Sequence, residues 1–177
     1  NIIERELRES ASLKQASAAV LSGPAAKAAL LIRKTLKKGG KVLLFGNGGS
    51  AADAQHIAGE LVGSFNKEKG SLPAMALTTD SSVLTSIAND FGYDWVFAKQ
   101  VEALARKGDA VVAISTSGNS GNVVQGAKAA KKKGALVVAM TGAGGGKLAK
   151  YADVLIAVPS KKTWRIQECH MAVGHAV

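Results

Sequence analysis

"KVLLFGNGGSAADAQHIAGELVG", residues 41–63, passes from an aliphatic run through a glycine-rich turn into a segment with helical spacing. The run "KVLLF" (41–45) has no polar alternation, so it reads as a strand covered on both faces, the condition of a parallel sheet. "AMALT" (74–78), "AVVAIS" (110–115), "ALVVAM" (135–140) and "DVLIAV" (153–158) repeat the pattern, with helix-length segments at 50–63, 81–106 and 120–133 among them. Alternating strands and helices require right-handed crossovers onto one parallel sheet. The expected fold is a three-layer α/β/α sandwich around a central five-stranded parallel sheet. Ahead of it, Ile3, Leu7, Leu13, Val20, Leu30 and Ile32 mark helical apolar positions, and "SGP" at 22–24 is expected to break residues 1–38 into a pair of helices. No linker marks a boundary, so one domain is expected over 1–177, its α/β core at 41–177.

Composition narrows the function. At 177 residues and 47% hydrophobic, the chain can bury a sizeable core. Lysine and arginine outnumber aspartate and glutamate by 23 to 13, but much of the excess sits in short runs such as "KKK" (131–133), which usually form solvated faces. Only 5% of residues are aromatic and none interleave with basic ones, so an anionic small substrate fits the charge better than nucleic acid. The single Cys169 excludes an internal disulfide and points to a reducing compartment, the cytoplasm. No apolar run approaches the ~20 residues that cross a bilayer and no signal-peptide pattern occurs, so no membrane partner is expected.

In a parallel α/β sheet the ligand sits beyond the carboxyl ends of the strands. Two loops there are rich in Gly, Ser, Thr and Asn: "GNGGSAADAQ" after the first strand and "STSGNSG" (115–121) after the third. Each offers backbone N–H groups and hydroxyls at a positive helix end, and the pair suggests one anionic ligand between them. The plain alternative for either alone is a tight turn with Ser50 or Ser120 as helix cap. "GNGGSA" also satisfies the dinucleotide pattern G-x-G-x-x-G/A, so an NAD-dependent dehydrogenase is the rival reading. A dinucleotide-binding helix normally lays small apolar residues on the sheet, however, whereas this one carries Asp53, Gln55, His56 and Glu60. His56 and Glu60, at i and i+4, project from one face about 6 Å apart along the axis, close enough to hold one metal or act on one substrate. The C-terminal "RIQECHMAVGHAV" (165–177) adds Gln167, Glu168, His170 and His175 on a predicted helix. Imidazole and carboxylate together suit zinc or another divalent ion, and equally proton transfer near neutral pH. His170 and Cys169 read as packed residues without chemistry.

"GNGGSAADAQH" with Glu60, "TTD", "AND" (88–90), "ISTSGNS" (114–120) and "RIQE" followed by His175 occur in order, and together they resemble the sedoheptulose-7-phosphate (phosphoheptose) isomerases of the sugar isomerase, or SIS, fold. The resemblance runs from about Lys41 to the end. It implies conversion of sedoheptulose 7-phosphate to D-glycero-D-manno-heptose 7-phosphate for lipopolysaccharide and related surface-heptose synthesis, one zinc per site and a homotetramer. By position it implies that Asn47, Gly48, Gly49 and Ser50 hold the substrate's chain, that Ser115, Thr116, Ser117 and Ser120 take the phosphate, and that Asn89 and Asp90 line the sugar. His56, Glu60, Gln167 and His175 match the metal ligands, with Gln167 also at the substrate and Glu60 and His175 the acid–base pair. A non-catalytic SIS relative that binds a phosphosugar or a replication initiator is the alternative, and retention of both His56 and Glu60 speaks against it. Trp164 departs from the small or acidic residue common in the family, and only two residues follow His175 where the family's terminal helix is longer, which leaves open whether the native chain extends beyond residues 1 and 177. Gln167 and His175, eight residues apart, differ by about 12 Å of rise and about 80° on a continuous helix. Either active sites shared between subunits or a kink near Gly174 is therefore expected.

Overall fold

The computed structural model describes residues 1–63 and 70–177. The five aliphatic runs form β1 (Val42–Gly46), β2 (Ala74–Ala76), β3 (Ala110–Ser115), β4 (Leu136–Thr141) and β5 (Val154–Ala157). All pair in parallel in the order β2-β1-β3-β4-β5, with β1 and β3 in register from Val42 opposite Ala110 to Gly46 opposite Ile114. Every residue of β1 and β3 is buried, as unbroken apolar strands require.

Among the described residues six α-helices supply the cover: α1 (Ile2–Lys37), α2 (Gly49–Gly63), α3 (Ser81–Phe91), α4 (Val96–Leu104), α5 (Gly121–Lys132) and α6 (Thr163–Ala176). Successive strand residues point to opposite faces. Val42 and Leu44 therefore pack with Leu21 and Ala28 of α1, Ala54 and Ala58 of α2, and Ile166 and Cys169 of α6. Leu43 and Phe45 pack on the other side with Val96, Phe97 and Val101 of α4 and Val123, Ala127 and Ala130 of α5. Phe45 stacks on Phe97 with ring centroids 5.0 Å apart, and Gly126 of α5 leaves the room, since a Cβ there would lie 2.7 Å from the Phe45 ring. The three-layer sandwich of the sequence reading is the observed architecture.

The expected N-terminal helical pair is instead one helix with Pro24 inside it. Ser10, Ser17, Leu21, Ala28 and Thr35 are its buried positions, seven or four residues apart, and form a single seam on the α/β body. An interior proline costs about 3 kcal/mol, and the seam runs through it because burial on both sides of Pro24 outweighs that local cost. By length and composition α1 is apolar enough to cross a bilayer, as a core helix can be, although no unbroken apolar run of that length occurs in it. Here its buried residues face the protein. The segment expected to be one helix over 81–106 divides as well. Gly92 takes φ 87°, a 3₁₀ turn follows at Tyr93–Trp95, and α4 restarts at Val96.

Gly23 lies exposed in the interior of α1 directly before Pro24, whose ring disfavours helical backbone at a preceding residue that carries a Cβ. Gly23→Ala should therefore not raise stability, read as a denaturation midpoint unchanged or lowered with unchanged slope. A gain of about 0.5–1 kcal/mol would mean that Ser22–Pro24 is a turn between two helices.

Candidate active site

From β1 the chain passes to β2 on one side of the sheet, and from β3 to β4 on the other, so the strand order reverses between β1 and β3. The loops leaving these two neighbours diverge there and open a crevice. In the first, the Ser50 N–H donates to the Asn47 carbonyl and the Ala51 and Ala52 N–H groups donate to that of Gly48, which starts α2 directly after the turn. The Gln167 side-chain amide lies against Gly49, in the space a Cβ there would take. Ser50 is buried inside the first turn of α2 rather than capping it.

In the second loop, Ser115 is buried at the end of β3, its hydroxyl 3.0 Å from that of Ser120 and 3.5 Å from that of Ser117. Half-buried Thr116 lies between them in sequence, and the loop closes through Gly118, φ 66°. Ser120 occupies the N-cap position of α5, yet its side chain makes no capping hydrogen bond, so the plain alternative of a helix cap is not taken up. Three hydroxyls thus gather at the positive end of a 12-residue helix, the setting in which a phosphate is bound. Asn89 and Asp90 are exposed near the C-terminal end of α3 and joined to each other by a 2.8 Å hydrogen bond. The Tyr93 hydroxyl, just beyond them, donates to Asn47 Oδ1 at 3.3 Å and so ties this side to the first loop.

α2 and α6 run alongside in the same direction: Gly49 meets Gln167, Ile57 meets Gly174, and His56 meets His175. His56 Nε2 lies 3.4 Å from Glu60 Oε1 and 2.9 Å from His175 Nε2. One ligand atom from each of the three lies within 4.8 Å of the others. Two imidazole nitrogens and a carboxylate oxygen are a zinc-type donor set, and three protein ligands leave a position for substrate. The trio comes from one chain. α6 runs unbroken to Ala176, without the kink near Gly174, and His175 meets His56 and Glu60 within the chain. Gln167 sits at the other end of this helix pair, against Gly49.

The position of α6 is fixed by Arg165, whose side chain is 5% exposed. Its guanidinium donates to Glu6 Oε2, Glu168 Oε1 and the Glu6 carbonyl, each at 2.7 Å, and to Glu9 Oε1 at 3.4 Å, tying α6 to α1. Its presence in "RIQE" was legible in the sequence, but this function was not. His170 is fully buried with Nε2 3.1 Å from the Thr141 carbonyl, and burial lowers its pKa to about 4, so it is a neutral core residue that donates from Nε2. Burial raises the Cys169 thiol in turn. Asp53, one turn before His56, is 7% exposed with Oδ2 lacking a partner. Burial pushes its carboxyl up to about 6 against the opposing pull of His56.

A SIS-domain family model matches residues 7–142. The phosphoheptose isomerase of Aquifex aeolicus is 52% identical over 175 residues, covering 99% of this chain and 92% of its own. That of Neisseria meningitidis serogroup A is 53% identical over 172 residues, covering 96% of this chain and 87% of its own. The solved phosphoheptose isomerase of Neisseria gonorrhoeae superimposes with a TM-score of 0.93 at 48% identity, covering 99% of this chain and 96% of that one.

The folded protein keeps a proton on Asp53 that the unfolded chain releases, so stability should fall as pH rises from about 4 to about 6 and stay reduced above it. Asp53→Asn in chelator-treated protein should therefore gain on the order of 2 kcal/mol at pH 7.5 and almost nothing at pH 4. Equal effects at the two pH values in thermal denaturation would refute the buried, unpaired carboxylate.

Proposed function

The chain belongs to the SIS-domain phosphoheptose isomerases, and from that membership we propose that its crevice isomerises sedoheptulose 7-phosphate. The reaction moves a carbonyl between neighbouring carbons of a phosphosugar and yields D-glycero-D-manno-heptose 7-phosphate, a precursor for lipopolysaccharide and other surface heptoses. The observation that carries the reading is that one chain holds both a hydroxyl-lined helix N-terminus after β3 and a His56–Glu60–His175 group on the helix that starts from the loop of the neighbouring β1, an anchor for the unreacting end of the substrate and proton-transfer groups for the reacting end.

Ser115, Thr116, Ser117 and Ser120 hold the phosphate. Asn47, Gly48, Gly49 and Ser50 position the carbon chain, and Asn89 and Asp90 meet its hydroxyls. Gln167 serves the chain from its place against Gly49. Glu60 takes the proton from the carbon beside the carbonyl and returns it to the former carbonyl carbon. His175 carries the hydroxyl proton from one oxygen to the other, so no atom is gained or lost and no redox cofactor is needed. His56, Glu60 and His175 would hold zinc, which when bound polarises the substrate oxygens and stabilises the enediolate charge. One SIS domain over 1–177 carries this chemistry in the cytoplasm and in a homotetramer. Within the tetramer Gln167 is the residue that could complete the metal site of a neighbouring copy. Replication-initiator binding is disfavoured because both His56 and Glu60 are retained, and NAD binding because the first turns of α2 present Asp53 and His56 in place of small residues.

Glu60→Gln should reduce isomerisation of sedoheptulose 7-phosphate, followed by NMR of the sugar, by at least about a thousandfold, while phosphosugar affinity stays within several-fold of wild type. Chelation of the wild type should cause a comparable loss that added zinc restores. Turnover by Glu60→Gln near the wild-type rate would remove Glu60 as the base.

A further inference from the structure

Asn47 and Asn122 face each other across the crevice, one from the loop after β1 and one from the first turn of α5. Asn47 Nδ2 donates to Asn122 Oδ1 and Asn122 Nδ2 donates to Asn47 Oδ1, both at 2.8 Å. Asn122 is 3% exposed, so this exchange of hydrogen bonds is sheltered from water. Its orientation is fixed from the backbone. The Val123 N–H donates to Asn122 Oδ1 at 2.9 Å, and an N–H can only meet the oxygen of an amide, never its NH₂. With Asn122 Oδ1 pinned, its Nδ2 must face Asn47, and Asn47 must answer with its oxygen. The Tyr93 hydroxyl takes the remaining lone pair of that oxygen at 3.3 Å.

The donor and acceptor inventory of Asn47 then closes. An amide oxygen accepts two hydrogen bonds and both are filled; the NH₂ group donates two and one goes to Asn122. One N–H remains. We infer that Asn122 is a positioning residue for substrate recognition: it holds Asn47 so that this side chain offers the sugar phosphate a hydrogen-bond donor and no acceptor. The group recognised by Asn47 is thereby an acceptor oxygen of the substrate, a hydroxyl or carbonyl oxygen of the chain or an oxygen of the phosphate ester. Because the exchange spans the loops after β1 and β3, it also fixes the width of the crevice. This rests on the isomerase reading, which places substrate against Asn47.

The test is a double-mutant cycle of Asn47→Ala and Asn122→Ala, read as kcat/KM for sedoheptulose 7-phosphate and, in parallel, as its dissociation constant by calorimetry. In an otherwise wild-type chain Asn122→Ala should lower kcat/KM roughly five- to tenfold, the worth of one neutral hydrogen bond, chiefly through KM. In the Asn47→Ala background the same change should cost less than about twofold, because the residue it positions is already gone. Inhibition by inorganic phosphate, which needs only the serine loop, should stay within about twofold throughout. Full additivity, or a parallel loss of phosphate inhibition from a disturbed α5, would overturn the inference while leaving the activity in place. A wild-type protein that neither converts nor binds sedoheptulose 7-phosphate would overturn the isomerase reading, and this inference with it.

Discussion

The side-by-side parallel pairing of β1 and β3, with the chain leaving them in opposite directions, is the constraint on which the site depends. Both strands are buried along their whole length, so each can end only in a loop that turns outward at the carboxyl edge. Two helices start from those loops on opposite faces of the sheet, and their positive ends are set at the crevice between the loops. The anion cradle is thus a result of topology first and of residue choice second. Serine hydroxyls and glycine backbone then adapt that place to a phosphate.

The His56–Glu60–His175 group is assembled by a second route. α6 lies along α2 in parallel, so the register that seats Gln167 on Gly49 also carries His175 to His56 and Glu60. That register is enforced away from the chemistry by Arg165, whose nearly buried guanidinium meets carboxylates on α1 and α6. α1 therefore serves as the buttress that aims α6 and is not a separate appendage. Removing one partner of such a sheltered charge cluster leaves the others unpaired, which makes the clamp costly to disturb.

The strands were legible in the sequence because each is an apolar run without alternation, and two covered faces impose that pattern. The loops were legible because Gly, Ser and Asn cluster where a helix must start beside an anion. Pro24 misled because a local rule for helix termination was read without the buried seam that overrides it. Gly92 was passed over within a continuous apolar pattern, although its positive φ divides the segment. His56 and Glu60 could be paired from their spacing alone, whereas His175 was brought to them only by the family resemblance, since nothing local records which helix will lie alongside. Asn122 was invisible for the same reason: its partner is 75 residues away. The plain alternative of a helix cap holds at neither serine, since Ser50 lies inside the first turn of α2 and the Ser120 side chain makes no capping bond.

The central claim is that a single chain supplies both the phosphate cradle and the His56–Glu60–His175 group. Anomalous diffraction at the zinc edge, from crystals grown with zinc and sedoheptulose 7-phosphate, tests it most directly. The account predicts one zinc ion held by His56, Glu60 and His175 of the same chain, with the phosphate among Ser115, Ser117 and Ser120 of that chain. An ion held elsewhere, or one whose His175 ligand comes from a different chain from its His56 and Glu60, would contradict it.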